Sequence, residues 1–163
     1  MIKKNNLPDK IAIFPLSNAI FFPRTILPLN IFEDRYIQLV DDCMKENRMF
    51  GMVQPKSKSS AKPEVYNIGC LGKIVSFNET DDKRFIISLS GIIRFRIKNE
   101  LQKEKLYRNF EVDYSEFLND LNEKVNQDIE VASELILIAR ILHQRFKISN
   151  GTQVKEDKSV ILA

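Results

Sequence analysis

Two runs rich in Ile, Val and Phe, at 69–77 and 85–97, flank the polar stretch Thr80-Asp81-Asp82-Lys83. Such a pattern reads as a β-hairpin with its turn in the polar stretch. In the second arm Phe85, Ile87 and Leu89 alternate with Ile86, Ser88 and Ser90. Beyond Gly91 the alternation resumes, with Ile93, Phe95 and Ile97 set against Arg94, Arg96 and Lys98. Side chains on a strand alternate between its two faces, so this arm has one apolar side throughout. Gly91 is the expected bulge or bend that lets so long a strand curl around a barrel.

The remaining segments fit around that hairpin. Ile11-Ala12-Ile13-Phe14 is a short apolar strand stopped by Pro15. Residues 16–28 hold three apolar clusters broken by Ser17-Asn18, Pro23 and Pro28; proline cannot donate to a ladder, so edge strands or a wrapped loop are expected. Tyr36, Leu39, Val40, Cys43 and Met44 recur at helical spacing and predict an amphipathic helix near 33–47. Asn30 is its expected cap, with Glu33 three residues on, acidic residues in the first turn and Lys45 in the last. Residues 49–54 read as a strand closed by Pro55, and the serine-rich 56–63 as a flexible surface loop. Residues 106–117 supply a last strand, with Phe110, Val112 and Tyr114 on one face.

From about 119 to 149 the period becomes helical. Val125, Ile129, Ala132, Ile136, Ala139 and Phe146 form one stripe, and Val131, Leu135, Ile138 and Leu142 a second. Two stripes require cover on two sides, and the barrel supplies only one. Ser149-Asn150-Gly151 is a stop signal, after which Val160-Ile161-Leu162 look like the opening of another helix. The fold class is therefore α+β: a β-barrel subdomain at 8–117 with one helix, then a helical subdomain at 118–163.

With 163 residues the chain fits one such domain with a helical extension. Its net charge of +3 is mild, and basic and acidic residues interleave, as in Asp81-Asp82-Lys83-Arg84 and Lys103-Glu104-Lys105. That argues for a solvated surface rather than a phosphate track, so nucleic acid is not the expected partner. Cys43 and Cys70 fall in apolar contexts and read as buried thiols in a reducing, cytoplasmic setting. The first residues lack the apolar core of a signal peptide, and no stretch approaches the ~20 apolar residues of a membrane span.

The segment from Ile13 to Pro55 carries a resemblance. Phe14-Pro15-Leu16, Phe22-Pro23 and Leu27-Pro28-Leu29-Asn30-Ile31-Phe32-Glu33-Asp34-Arg35-Tyr36 are similar to the opening of the Lon protease substrate-binding domain. The match continues through Gly51-Met52-Val53-Gln54-Pro55, Ile68-Gly69-Cys70-Leu71-Gly72-Lys73-Ile74 and Leu89-Ser90-Gly91-Ile92-Ile93-Arg94-Phe95, covering about 10–147. The chain looks especially like stand-alone bacterial members that lack the ATPase and protease domains. Those members run a few helices further, so the chain reads as trimmed. The resemblance implies a PUA-like β pseudo-barrel with one inserted helix, followed by a C-terminal helical segment.

The sequence carries no motif for catalytic chemistry. None of the five glycines begins a phosphate-cradling G-x-x-x-x-G-K-[ST] loop; Gly69-Cys70-Leu71-Gly72-Lys73 lies in a strand and is followed by Ile74. A Ser–Lys protease dyad has no context here. His143 is the only histidine, beside an apolar stripe and without the His/Cys cluster a metal requires. The expectation is a non-enzyme with no cofactor and no metal site. Its partners would be unfolded proteins or peptides, delivered to a separate protease or chaperone. The candidate contact residues are Ile20, Phe21, Phe22 and Pro23, because apolar side chains on a proline-broken connection mark interaction sites when exposed. A groove beside an edge strand could then take an extended peptide. The alternative is that Phe21 or Phe22 plugs the barrel end. Arg35 could hold a ligand carboxylate or, preferably, brace the helix start against a carboxylate or carbonyl of the barrel. Arg94 and Arg96, with Lys98, form a second surface, read more simply as a solvated strand face. RNA binding by a PUA-like barrel and a small-molecule pocket are the competing functions.

Overall fold

The computed structural model describes residues 6–17, 19–57, 63–102 and 105–122. The helical subdomain expected at 118–163, His143 and the apolar end at 160–162 lie outside these residues apart from 118–122.

Six strands, one α-helix and one 3₁₀ helix make up the described chain. In order they are β1 (Lys10–Pro15), β2 (Ile26–Ile31), α1 (Asp34–Lys45), β3 (Met49–Val53), β4 (Ile68–Glu79), β5 (Phe85–Glu100), β6 (Arg108–Asp113) and the 3₁₀ helix Ser115–Leu121. The sheet runs β2-β5-β4-β3-β1-β6, and β6 also pairs with β5. Five strands therefore close into a ring, with β2 attached to the outer stretch of β5. All pairings are antiparallel except β1 with β3, which are parallel and joined through β2 and α1.

The length of β5 makes the closure possible. Its first half pairs with β2 and its last residues, Arg96 to Glu100, with β6. Register shifts between Leu71 and Gly72 and between Ile97 and Asn99 each put an extra residue in β5 and bend it, while a third, between Ile74 and Ser76, puts its extra residue in β4. The first shift leaves Ile92 as the extra residue, next to the Gly91 expected to mark the bulge.

Two cores explain why the short strands are apolar without alternation. Ala12 and Phe14 of β1, with Phe50 and Met52 of β3, face α1. Ile11, Ile13 and Met49 face the barrel interior with Leu71, Ile93, Phe95 and Phe110. Strands covered on both sides read as continuous apolar runs. Phe95 fills the barrel centre, and methyl groups at Gly51 or Gly69 would lie 2.8 and 2.5 Å from its ring.

The helix obeys its sequence pattern: Tyr36, Leu39, Val40 and Cys43 are buried and Met44 packs beside them. Its cap does not. Glu33, without a capping side-chain hydrogen bond, holds the N-cap position. Asn30 instead continues β2, opposite Ile86, because Leu27, Leu29 and Ile31 need to point inward together. The Asn30 Oδ1 is buried and has no partner among the described residues. The hairpin turn falls where expected, with Lys83 at φ 62 donating from its amide to Thr80 O at 2.9 Å. The last strand is shorter than expected. It ends at Asp113, and Phe117 belongs to the 3₁₀ helix, where it is still buried.

Candidate functional site

The connection from β1 to β2 carries the apolar candidates, and its shape follows from three anchors. Gln54 Nε2 donates to Ala19 O at 3.1 Å and fixes the entry. Thr25 Oγ1 donates to Phe22 O at 2.8 Å and accepts from Phe22 N at 3.2 Å, closing a tight turn over Pro23 and Arg24. Gly91 then clasps the exit: Arg24 N donates to Gly91 O at 2.8 Å and Gly91 N to Thr25 O at 2.9 Å. Arg24 sits at φ 68, a backbone region costly for a side chain other than glycine.

The four apolar residues separate. Ile20 is 45% exposed and Phe22 half-buried. Phe21 packs against the core between the sheet and α1, its ring 2.9 Å from where a Gly72 methyl would stand. Pro23 is buried. A residue that sequence reasoning missed is Ile26, 58% exposed at the start of β2. Its signal was the Leu27, Leu29, Ile31 alternation, which sends Ile26 outward.

Arg35 belongs to a different element. Its Nε and Nη2 donate to Glu33 Oε2 at 2.9 and 2.6 Å, and its guanidinium lies 4.7 Å over the Tyr36 ring. The carboxylate that Arg35 meets here is that of Glu33, at the helix's own N-cap.

Arg94 and Arg96 are not a bare solvated face. Arg94 donates from Nε and Nη2 to the Asp120 carboxylate at 2.9 and 2.7 Å, its amide adds a third bond at 3.0 Å, and its guanidinium lies over the Phe117 ring. Arg96 forms a two-point pair with Glu116. Charge-assisted, two-point pairs of this kind fix orientation. They bind the 3₁₀ helix to the outside of β5.

A cleft of about 420 Å³ lies elsewhere, between the end of α1 and β1 and β6, with Lys10, Asp42, Glu46, Lys105 and Tyr107 in its wall. Tyr107 donates its hydroxyl to Asp42 Oδ2 at 2.9 Å, and Lys105 approaches the same oxygen at 3.2 Å. Burial pushes the Asp42 carboxyl upward, but those two partners outweigh it and hold the group below its ordinary range. Burial and Asp42 together raise the Tyr107 phenol. The thiols behave as expected. Both are free and buried, and burial pushes Cys43 up to about 12 and Cys70 well above the ordinary thiol range. Among the described residues no group of three His, Cys, Asp or Glu is placed to hold a metal ion. No helix among them is long and apolar enough to cross a membrane.

Residues 10–161 match the family model of the ATP-dependent protease La (LON) substrate-binding domain. Among curated relatives, a Lon protease of Desulfosudis oleivorans is 35% identical over 61% of the chain, and Lon protease 2 of Myxococcus xanthus is 28% identical over 80%. The chain spans only 13% and 16% of the length of those two proteins. Among solved structures, the Lon N-terminal domain protein from Xanthomonas campestris superposes with a TM-score of 0.54 at 26% identity, covering 64% of this chain and 59% of that one. The N-terminal domain of Mycobacterium avium complex Lon protease gives 0.52 at 12% identity, covering 64% and 54%; this is a likeness of fold alone.

Proposed function

The chain belongs to the Lon substrate-binding domain family, and from that premise we propose that it is a non-catalytic module that captures unfolded or degron-bearing protein segments for a separate protease. The observation that carries the reading is the turn before β2. It holds Ile20 and Phe22 at the surface on a backbone pinned at Ala19, Thr25 and Gly91. Rigid presentation lowers the ordering cost of binding, so even a small apolar surface can contribute affinity. Ile26 extends it along β2.

The mode of capture is side-chain contact rather than strand addition. Gly91 N donates to Thr25 O, so in the alternating antiparallel ladder Leu27, Leu29 and Ile31 turn their backbone groups toward β5. Ile26, Pro28 and Asn30 then turn theirs to the free edge, and Pro28 has no amide to offer a peptide there. Arg35, engaged by Glu33, is assigned a bracing role at the helix start.

We further class the closed sheet with PUA-like pseudo-barrels and place the protein in the cytoplasm. A small-molecule function is the second reading, favoured by the cleft beside α1. RNA binding is disfavoured because Arg94, Arg96 and Arg108 are paired with carboxylates.

Fluorescence anisotropy of labelled apolar peptides with the full chain tests the reading. Saturable binding that weakens in Ile20→Ser and Phe22→Ser, with folding unchanged, is expected. Absence of binding across a peptide library rejects it.

A further inference from the structure

We propose that Arg24 couples the apolar turn to the end of the 3₁₀ helix, so that a ligand seated on the turn also restrains residues 120–122. The coupling rests on the reading of the turn as a binding surface only in its ligand half; the mechanical half stands on geometry alone.

Arg24 touches both regions. Its amide donates to Gly91 O, which fixes the turn on β5. Its Nη2 donates to Asp120 O at 3.0 Å and to Asn122 O at 2.9 Å. Those carbonyls stand at the C-terminal end of the 3₁₀ helix, where backbone acceptors lack helical donors. The same helix is held from its other side by Asp120, whose 4%-exposed carboxylate takes three bonds from Arg94. Arg94 lies three residues beyond Gly91 on β5, so the turn, the bulged strand and the end of the 3₁₀ helix form one linked patch.

The positive φ of Arg24 fits this role. A glycine would take φ 68 without strain but would bring no donor to the carbonyls of Asp120 and Asn122. The side chain makes contacts that the turn itself does not use. Nothing in the hairpin or in α1 requires them.

The test is hydrogen exchange on the full chain. Arg24→Ala keeps a β carbon at the strained position and removes only the side-chain donors. Exchange should quicken about two- to tenfold, the scale of one ordinary hydrogen-bonded contact, in both 19–25 and 119–122. Amides in β4 and in β5 other than those of Gly91 and Arg94, which bond to Thr25 and Asp120, should keep their wild-type rates, which shows that the variant is folded. Asp120→Asn supplies the reciprocal arm. It should quicken exchange at 19–25 in the wild-type background and have no such effect when Arg24 is already alanine. Quickening at one region alone, or equal effects of Asp120→Asn in both backgrounds, overturns the coupling.

Adding reduced, carboxymethylated lactalbumin as an unfolded probe tests the ligand half. It should slow exchange at 119–122 in the wild type and not in Arg24→Ala. Bound probe with unchanged exchange at 119–122 in the wild type overturns that half. A probe that fails to bind the wild type removes the peptide reading of the turn, while the exchange of the free variants still decides the coupling.

Discussion

A methyl group at Gly91 would stand 1.9 Å from the Phe22 carbonyl oxygen and 3.1 Å from the Pro23 Cα, both backbone atoms that cannot swing aside. Gly91→Ala is therefore expected to push the turn off β5 and to destabilise the chain by about 1–3 kcal/mol, the usual cost of overpacking. A urea melt should show a lower midpoint at unchanged slope. The pattern around Gly91 pointed to a bulge, and a bulge lies beside it at Ile92. The approach of Phe22 and Pro23 was not legible, because it joins segments far apart in the chain and leaves no local periodicity.

The thiols were legible, since both fall among apolar neighbours, and their chemistry follows. The thiolate is the reactive form, and burial holds Cys43 up to about 12. Neither cysteine should react with a disulfide reagent at pH 8 until denaturant is added, when both should. The sign of the pH dependence is fixed by the same shift. The folded thiol keeps its proton to higher pH than the unfolded one, whose ordinary value is 9.0. Its contribution is thus complete below about pH 9 and lost as pH rises toward 12. Buried Cys70, Tyr36 and Tyr114 shift in the same direction. Denaturant midpoints at pH 7 and pH 10.5 check this, with the lower midpoint expected at the higher pH.

Among the elements, α1 and the β4–β5 hairpin were readable because their periods are strong and local. β2 was readable only in part. Its Pro28 indicated an edge, and among the described residues β2 is bonded to β5 alone. The strand's continuation to Ile31 was missed because Asn30 is a better helix cap than strand residue, and tertiary pairing with Ile86 overrode that preference. The 3₁₀ helix was hidden likewise. The run of large apolar residues through Phe117 extended the expected strand, although Phe117 breaks the parity of Phe110, Val112 and Tyr114; the Asp113 carboxylate, bonded to the amide and hydroxyl of Ser115, ends it. An edge strand with an unpaired row of backbone groups invites association, and Pro28 removes a donor from that row. Pro28→Val restores it. Sedimentation velocity should then show self-association above that of the native chain at equal concentration, with the monomer fold intact.

At the scale of the whole molecule, barrel closure could not be read from strand patterns. It depends on β5 reaching β6 and on the parallel pairing of β1 with β3, both between distant segments. The order of the motifs implied the family, and the match over 10–161 established it. What remains local is the proposed site: a half-exposed apolar turn, with Arg94 and Arg96 beyond it already paired to carboxylates. Capture by such a surface should depend weakly on salt. Raising ionic strength from 50 to 200 mM is expected to change peptide affinity by less than about threefold, where phosphate-tracking proteins lose orders of magnitude. Backbone amide shifts of the isotope-labelled full chain, recorded while reduced, carboxymethylated lactalbumin is titrated in, locate the contact directly. Saturable shifts centred on residues 19–26 and reaching 119–122 are the expected result. Shifts centred on the cleft beside α1, or none at all, would contradict a peptide-capturing turn.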